Sequence, residues 1–455
     1  MGKQFRTWIL AFAWFFFIGC AGGHPPVPDF QYQEKNNLQK HQKNLPPYPE
    51  TRFIVLSDPH YYHPSLGTTG PAFQAYIEDD RKLLAQSDAI LDAAIKRTRR
   101  EAADFVLICG DLTKDGARIN HEYFSGAIRR LHPDAPVYVI PGNHDVVNGE
   151  SFRYTPEGKK RIPTVTAAEF RQIYAPFGYN QALAEDRASL SYVVEPVDGL
   201  WLLGLDSCLW RENQPDGHPQ VDGRFSPDTL QWIEKMLIRA RKKSKAVMAF
   251  QHHGLIPHYP ANEKYYGEYI VDNSEAVSKL LAAYGVRLVF TGHFHAQDIT
   301  VKQMPAPQRF VFDVETGSLV TYPCPYRRVS ISGAQDCTIE SRFIESIAAM
   351  DEGFADYARD FAFNGTVKLA DDALQQYKVS KTAREKLSPQ IAAAYLAHLA
   401  GDEDKPEDVI SAGGTGFMGR VVLFFQKDLV EGWWTDLPPP DNRLVIDLQD
   451  GSWHQ

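Results

Sequence analysis

A layered α/β/β/α or α/β sandwich is predicted for this 455-residue chain by three observations. Short unbroken apolar runs recur between residues 52 and 300, and runs of this length suit strands buried on both faces. Stretches with helical spacing separate them. Asp, Asn and His residues follow directly after five of the runs, at the strand ends where open α/β sheets form their clefts. Composition agrees: 44% hydrophobic and 23% charged residues are ordinary globular values. They exclude a disordered chain, a collagen-like repeat and a polytopic membrane protein. The net charge of -9 argues against a stable nucleic-acid partner, because the average surface repels phosphate.

The N-terminus reads as a targeting signal. Lys3 and Arg6 precede the uncharged run from Trp8 to Ile18, and Gly19-Cys20 follows. Eleven residues are too few to span a bilayer comfortably but match the apolar region of an export signal. Phe17-Ile18-Gly19-Cys20 resembles a bacterial lipobox, in which cleavage before the cysteine leaves a thiol for lipid attachment. The expected organisation is a signal peptide over 1–19, then Cys20 and a Gly/Pro-rich tether to residue 50. The expected location is the cell envelope, with membrane attachment through the lipid. In that oxidising compartment Cys324 and Cys337 are candidates for a disulfide, while Cys109 and Cys208 read as buried thiols.

The predicted strands, in order, start at Phe53, Phe105, Val137, Trp201, Ala246 and Val286. Residues 73–103 carry Ile77, Leu84, Ile90, Leu91 and Ile95 among charges, the pattern of an amphipathic helix. After the first strand comes Asp58-Pro59-His60, after the second Gly110-Asp111, and after the third Gly142-Asn143-His144-Asp145. The fifth leads into His252-His253 and the sixth into Gly292-His293-Phe294-His295. Alone, Asp-x-His or Gly-Asp is ordinary turn chemistry. A Gly-His-x-His quartet, however, is expected only about 0.03 times in a chain of this composition. Five such blocks in order, each directly after a strand, point to a metal centre.

That ordered set resembles the calcineurin-like metallophosphoesterase superfamily, whose pattern is D-x-H, G-D, G-N-H-D/E, H and G-H-x-H. The resemblance covers residues 53–300 and implies an α/β/β/α sandwich of two mixed β-sheets around a two-metal centre. By position, Asp58, His60 and His295 would hold one metal, and Asn143, His252 and His293 the other, with Asp111 bridging. His144 would be the non-ligand histidine beside the leaving group. The pattern favours His252 over His253, which stays open. Histidine at position 60, and Leu112, Thr113 and Lys114 after Asp111, depart from the purple acid phosphatase branch, so its iron-tyrosinate chromophore is not expected.

The residue types support this chemistry independently. Imidazole and carboxylate donors suit two transition-metal ions such as Mn, Fe or Zn. Two such ions about 3.5–4 Å apart would generate a bridging hydroxide for in-line attack on phosphorus. His144 would protonate the leaving oxygen. The expected substrate is a small phosphodiester, a cyclic nucleotide among the candidates, or a phosphomonoester. A competing reading is an inactive scaffold acting as a membrane-tethered binding or structural lipoprotein. Asp145 reads equally as an orienter of His144 or a turn cap. His63 reads as a loop residue, and His258, Tyr259, Tyr265 and Tyr266 as loop packing or a pocket wall.

The catalytic region is expected to span 51–338. Segments starting at Phe310, Gly317 and Arg327 read as a late β-meander completing the second sheet. Residues 340–362 and 367–400 read as helix, within a mainly helical C-terminal region over 339–455. Gly414-Thr-Gly416-Phe-Met-Gly419 matches the dinucleotide pattern in form only. No strand precedes it, and Val421 to Phe425 reads as strand or apolar segment instead of a helix opening.

Overall fold

The computed structural model describes residues 45–455 except 132–133 and 306–308. The export signal and Cys20 lie outside the described residues. Among those described, no helix is long and apolar enough to cross a membrane.

The apolar runs form the strands they predict. In chain order these are β1 (Thr51–Leu56), β2 (Phe105–Ile108), β3 (Val137–Val139), the hairpin β4 (Phe152–Thr155) and β5 (Gly158–Arg161), β6 (Ala184–Glu185), β7 (Tyr192–Val197), β8 (Leu200–Leu205), β9 (Ala246–Gln251), β10 (Leu288–Thr291), β11 (Asp298–Gln303), β12 (Phe310–Glu315), β13 (Pro325–Ile331), β14 (Asp336–Phe343), β15 (Arg443–Asp447) and β16 (Trp453–His454). Two seven-stranded mixed sheets result, ordered β16-β15-β14-β13-β1-β2-β3 and β11-β12-β10-β9-β8-β7-β6.

The sheets face each other across one apolar core. Phe53 stacks on Phe105 within the first sheet at 4.6 Å and meets Phe290 of the second edge-on at 5.3 Å. Period-two alternation sorts the remaining side chains. Leu200 and Leu202 of β8 point into this core. Trp201, Leu203 and Leu205 point outward, under helices at Pro227–Lys242 and Ser274–Ala283. Helices at Ser87–Thr98 and Arg118–Ile128 cover the first sheet's other face through Ile90, Leu91, Ile95, Phe124 and Ile128. The architecture is therefore α/β/β/α.

With the helices at Pro71–Glu78, Ala167–Ile173 and Asn262–Tyr266, the helices so far are α1 to α7 in chain order. Three more follow: α8 (Phe354–Gln376), α9 (Lys381–Ala400) and α10 (Gly416–Trp433). They enclose a separate apolar cluster that includes Tyr259, Tyr265 and Phe294 of the sandwich.

Several expectations need correction. The single amphipathic stretch over 73–103 is two helices, α1 and α2. Asp80 separates them, its side chain accepting the backbone N–H groups of Arg81 and Lys82. Of the late segments, only β12 joins the second sheet; β13 and β14 join the first. The Gly317 segment is no strand, because Ser318 turns to bond its Oγ to the Asp58 carbonyl at 2.8 Å. The boundary expected after 338 falls inside β14, and helix begins at Phe354, not near 340. Residues 421–425 lie within α10. There Val422 and Leu423 face the protein while Phe424 and Phe425 face out, so an all-apolar run hides helical spacing. Cys324 and Cys337 are both free, buried thiols instead of a disulfide, and Cys208 is only partly buried.

Because β15 places Leu444 and Ile446 in the central core, Ile446→Ala should cost about 2–5 kcal/mol. Urea denaturation checks this; an unchanged midpoint would show that the C-terminal strand lies outside the cooperative core.

Candidate metal centre

All five motif loops meet where the two sheets end together. β1, β2 and β3 of the first sheet deliver Asp58, His60, Asp111, Asn143 and His144, while β9 and β10 of the second deliver His252, His293 and His295. Among the described residues, three groups of donor atoms gather here: Asp58, His60 and His295; His60, Asp111 and His144; Asp111, His252 and His293.

The separations fit metal coordination. His60 Nε2 and His295 Nε2 lie 3.1 Å apart, and Asp58 Oδ1 is 3.3 Å from His295 Nε2 and 3.8 Å from His60 Nε2. Asp111 Oδ2 lies 3.5 Å from both His60 Nε2 and His252 Nε2, between the two halves. Asn143 Oδ1 is 3.1 Å from His252 Nε2. With bonds near 2.0–2.2 Å, adjacent ligands of one ion are separated by roughly 3–3.5 Å. Asp58 Oδ1 and His293 Nε2 are buried without hydrogen-bond partners. Such orphaned polar atoms are costly unless something else engages them.

Protonation states suit three of the four candidate histidine ligands; at His252 burial is outweighed by Asp111, which raises the pKa to about 9, so this imidazole would release a proton on binding a metal. Burial pushes His60, His293 and His295 below the ordinary imidazole range, leaving them neutral with a free lone pair. Burial opposes ionisation of Asp111, but the raised imidazoles of His252 and His144 outweigh it and hold the carboxyl well below its usual range. His252 Nδ1 contacts the Cys109 carbonyl at 2.9 Å, which directs Nε2 toward Asp111.

The loops are held in unusual backbone. Asp58, His60, Asp111, His293 and His295 all have positive φ, at 48°, 35°, 46°, 77° and 73°. Non-glycine residues in this region carry strain that persists only where the surroundings enforce it. Close packing explains two neighbouring glycines: a Cβ on Gly142 would overlap Asp111, and one on Gly292 would overlap Ser57 and Asp58.

Other sequence candidates are resolved by their contacts. His253 turns away, with Ser207 Oγ on Nδ1 at 2.7 Å and the Val221 carbonyl on Nε2 at 2.8 Å. Asp145 does not orient His144. It accepts the backbone N–H groups of Leu112, Thr113 and Gly142 and ties two motif loops together. The orienter is Asp115, whose Oδ1 lies 2.8 Å from His144 Nδ1. In the sequence, a Lys-Asp-Gly turn four residues after Asp111 does not set Asp115 apart from an ordinary turn residue. His63 stacks on Tyr123 outside the cluster. His258 is buried against Asp298 and Asp313. A separate acidic group, Asp402, Asp436 and Asp441, lies in the C-terminal region.

An α/β/β/α sandwich with histidine and carboxylate donors at the shared strand ends defines a metal-centred protein of the phosphoesterase type. The family profile for calcineurin-like phosphoesterases matches residues 51–297, and the chain belongs to that family. A probable glycerophosphodiester phosphodiesterase of Arcobacter nitrofigilis is 30% identical over 150 residues, covering 33% of this chain and 41% of the relative. Sphingomyelin phosphodiesterase 2 of Caenorhabditis elegans is 26% identical over 253 residues, covering 51% of this chain and 39% of the relative. The chain thus spans about two fifths of the length of these curated relatives. A crystal structure of a dimetal phosphatase from Danio rerio aligns with TM-score 0.44 at 17% identity, covering 66% of this chain and 97% of that one. Calcineurin-like phosphoesterases use a dinuclear metal centre, and the clustered donors fit one.

Metal analysis of the purified protein should find about two equivalents per chain, and Asp111→Asn about one or fewer. A variant that retained both would remove Asp111 as the shared ligand.

Proposed function

We propose that the protein hydrolyses phosphoric esters, with a small phosphodiester as the favoured substrate. The observation that carries this is Asp111 Oδ2 shared between two donor clusters, with His144 beside it on the open side of the site. Asp58, His60 and His295 would hold one ion, Asn143, His252 and His293 the other, and Asp111 would join both. When bound, such ions supply the positive charge that activates a water nucleophile and withdraws electrons from the phosphoryl oxygens. Mn, Fe and Zn all suit the donors.

The chain's own residues supply proton transfer and orientation. His144 is three-quarters buried, with its Nε2 3.9 Å from Asp111 Oδ2. Burial disfavours its protonated form, but Asp111 and Asp115 outweigh burial and raise its pKa. Asp115 on Nδ1 leaves Nε2 to donate a proton to the leaving oxygen. Both curated relatives are named for phosphodiesters, which supports a diester over a monoester. The Trp8–Ile18 run and Cys20 support export and lipid attachment.

Assays on methyl p-nitrophenyl phosphate and p-nitrophenyl phosphate, under Mn, Fe and Zn, test the reaction and substrate class. Turnover should favour the diester; inactivity with every metal would sink the hydrolase reading. Asp115→Asn should lower kcat about 10²-fold on alkyl leaving groups and much less on p-nitrophenol, which needs little protonation. Equal losses would deny Asp115 a role through His144. Replacing Cys20 with alanine should move the exported protein from the membrane to the soluble fraction, and unchanged membrane retention would argue against the lipid anchor.

A further inference from the structure

We infer that an aromatic-walled cavity between the C-terminal helices and the metal centre is the subsite for one apolar arm of the phosphodiester, an inference that rests on the hydrolase reading above. Its walls include Arg81, Tyr266, Tyr269, Phe294, Tyr395 and Trp433. Phe294 lies between His293 and His295 in the chain, and the Tyr269 ring packs 4.4 Å from the His293 ring. Tyr266 meets Phe294 at 5.4 Å and Trp433 at 6.0 Å, and Trp433 meets Tyr395 at 5.2 Å. Tyr269 is therefore both a wall of the cavity and a neighbour of the second donor cluster.

The far wall belongs to α8, α9 and α10, and it is anchored. Tyr265 Oη donates to Asp428 at 2.5 Å and reaches the Phe425 carbonyl at 3.0 Å, tying α10 to α6. Flat rings and aliphatic side chains favour an alkyl chain or a planar ring. Arg81 is the one charged side chain lining the cavity among the described residues. Its guanidinium lies 5.4 Å from the Tyr395 ring and forms no salt bridge with a described carboxylate. The Asp80 carboxylate and the Tyr395 ring both attract this partly buried cation and hold it at the cavity wall.

The test compares methyl and butyl p-nitrophenyl phosphate, which share a leaving group and differ by three methylenes. Each fully buried methylene contributes about fourfold, so the butyl ester should show at least about tenfold higher kcat/KM. Ala370→Leu fills the cavity from α8 and should bring the butyl-to-methyl ratio near one. Ile391→Phe on α9 fills the same space if the first variant fails to fold. Calorimetry on the protein as purified should find butylphosphonate bound more tightly than methylphosphonate, with the difference lost in the same variants.

Turnover of both esters without a butyl preference, or a preference untouched by filling, would overturn the subsite and leave the hydrolase reading standing. No turnover, but filling-sensitive preference for butylphosphonate, would overturn the hydrolase reading and keep the cavity as an apolar-ligand site. Neither turnover nor preference would overturn both.

Discussion

Asp111 Oδ2 lies 3.5 Å from an imidazole delivered by the first sheet and 3.5 Å from one delivered by the second. A buried carboxylate is costly unless opposite or polar partners surround it. Here those partners come from strands in different layers, so the site exists only when the sandwich is closed. Phe53 and Phe290, in edge-to-face contact between the sheets, belong to β1 and β10, the strands that carry Asp58 and His293 to the same end. Core packing and site geometry are therefore one constraint. Loss of alignment between the sheets would separate His60 from His295 and Asp111 from His252 together.

The strain at the strand ends has the same origin. Five of the seven candidate ligands have positive φ. The surroundings hold them there through close approach at Gly142 and Gly292 and through the bonds that Asp145 makes to backbone N–H groups. Asp145 thus acts on the backbone of the motif loops, while Asp115 acts on the His144 ring. The two aspartates differ in role because one is fully turned into the loop junction and the other reaches a side chain at the cleft.

The C-terminal helices extend the same logic outward. They do not form an independent unit beside the sandwich, since Tyr259, Tyr265 and Phe294 share their apolar cluster. β15 then returns to pair with β14 and places Leu444 and Ile446 in the central core. Aromatic residues near the metal centre are consequently covered by α8 to α10. Phe417, Phe424 and Phe425 remain exposed on the opposite face of α10.

Legibility differed by the range of the interaction. Six strands were readable because continuous apolar runs have few other stable placements, and the candidate ligands were readable because their residue types follow those strands directly. The break between α1 and α2 and the helical state of 421–425 were not, since local composition there suits more than one conformation. Asp115 was overlooked because its importance depends on where His144 Nδ1 points, which spacing cannot encode. By itself the sequence determined the layered class and the strand order of the motifs, and through its family resemblance it named a candidate donor set. Only the tertiary structure decided that Asp115 reaches His144, that His253 faces away, and that the C-terminal helices wall an aromatic cavity. These last facts arise from side chains far apart in the chain, brought together only when both sheets and the terminal helices pack.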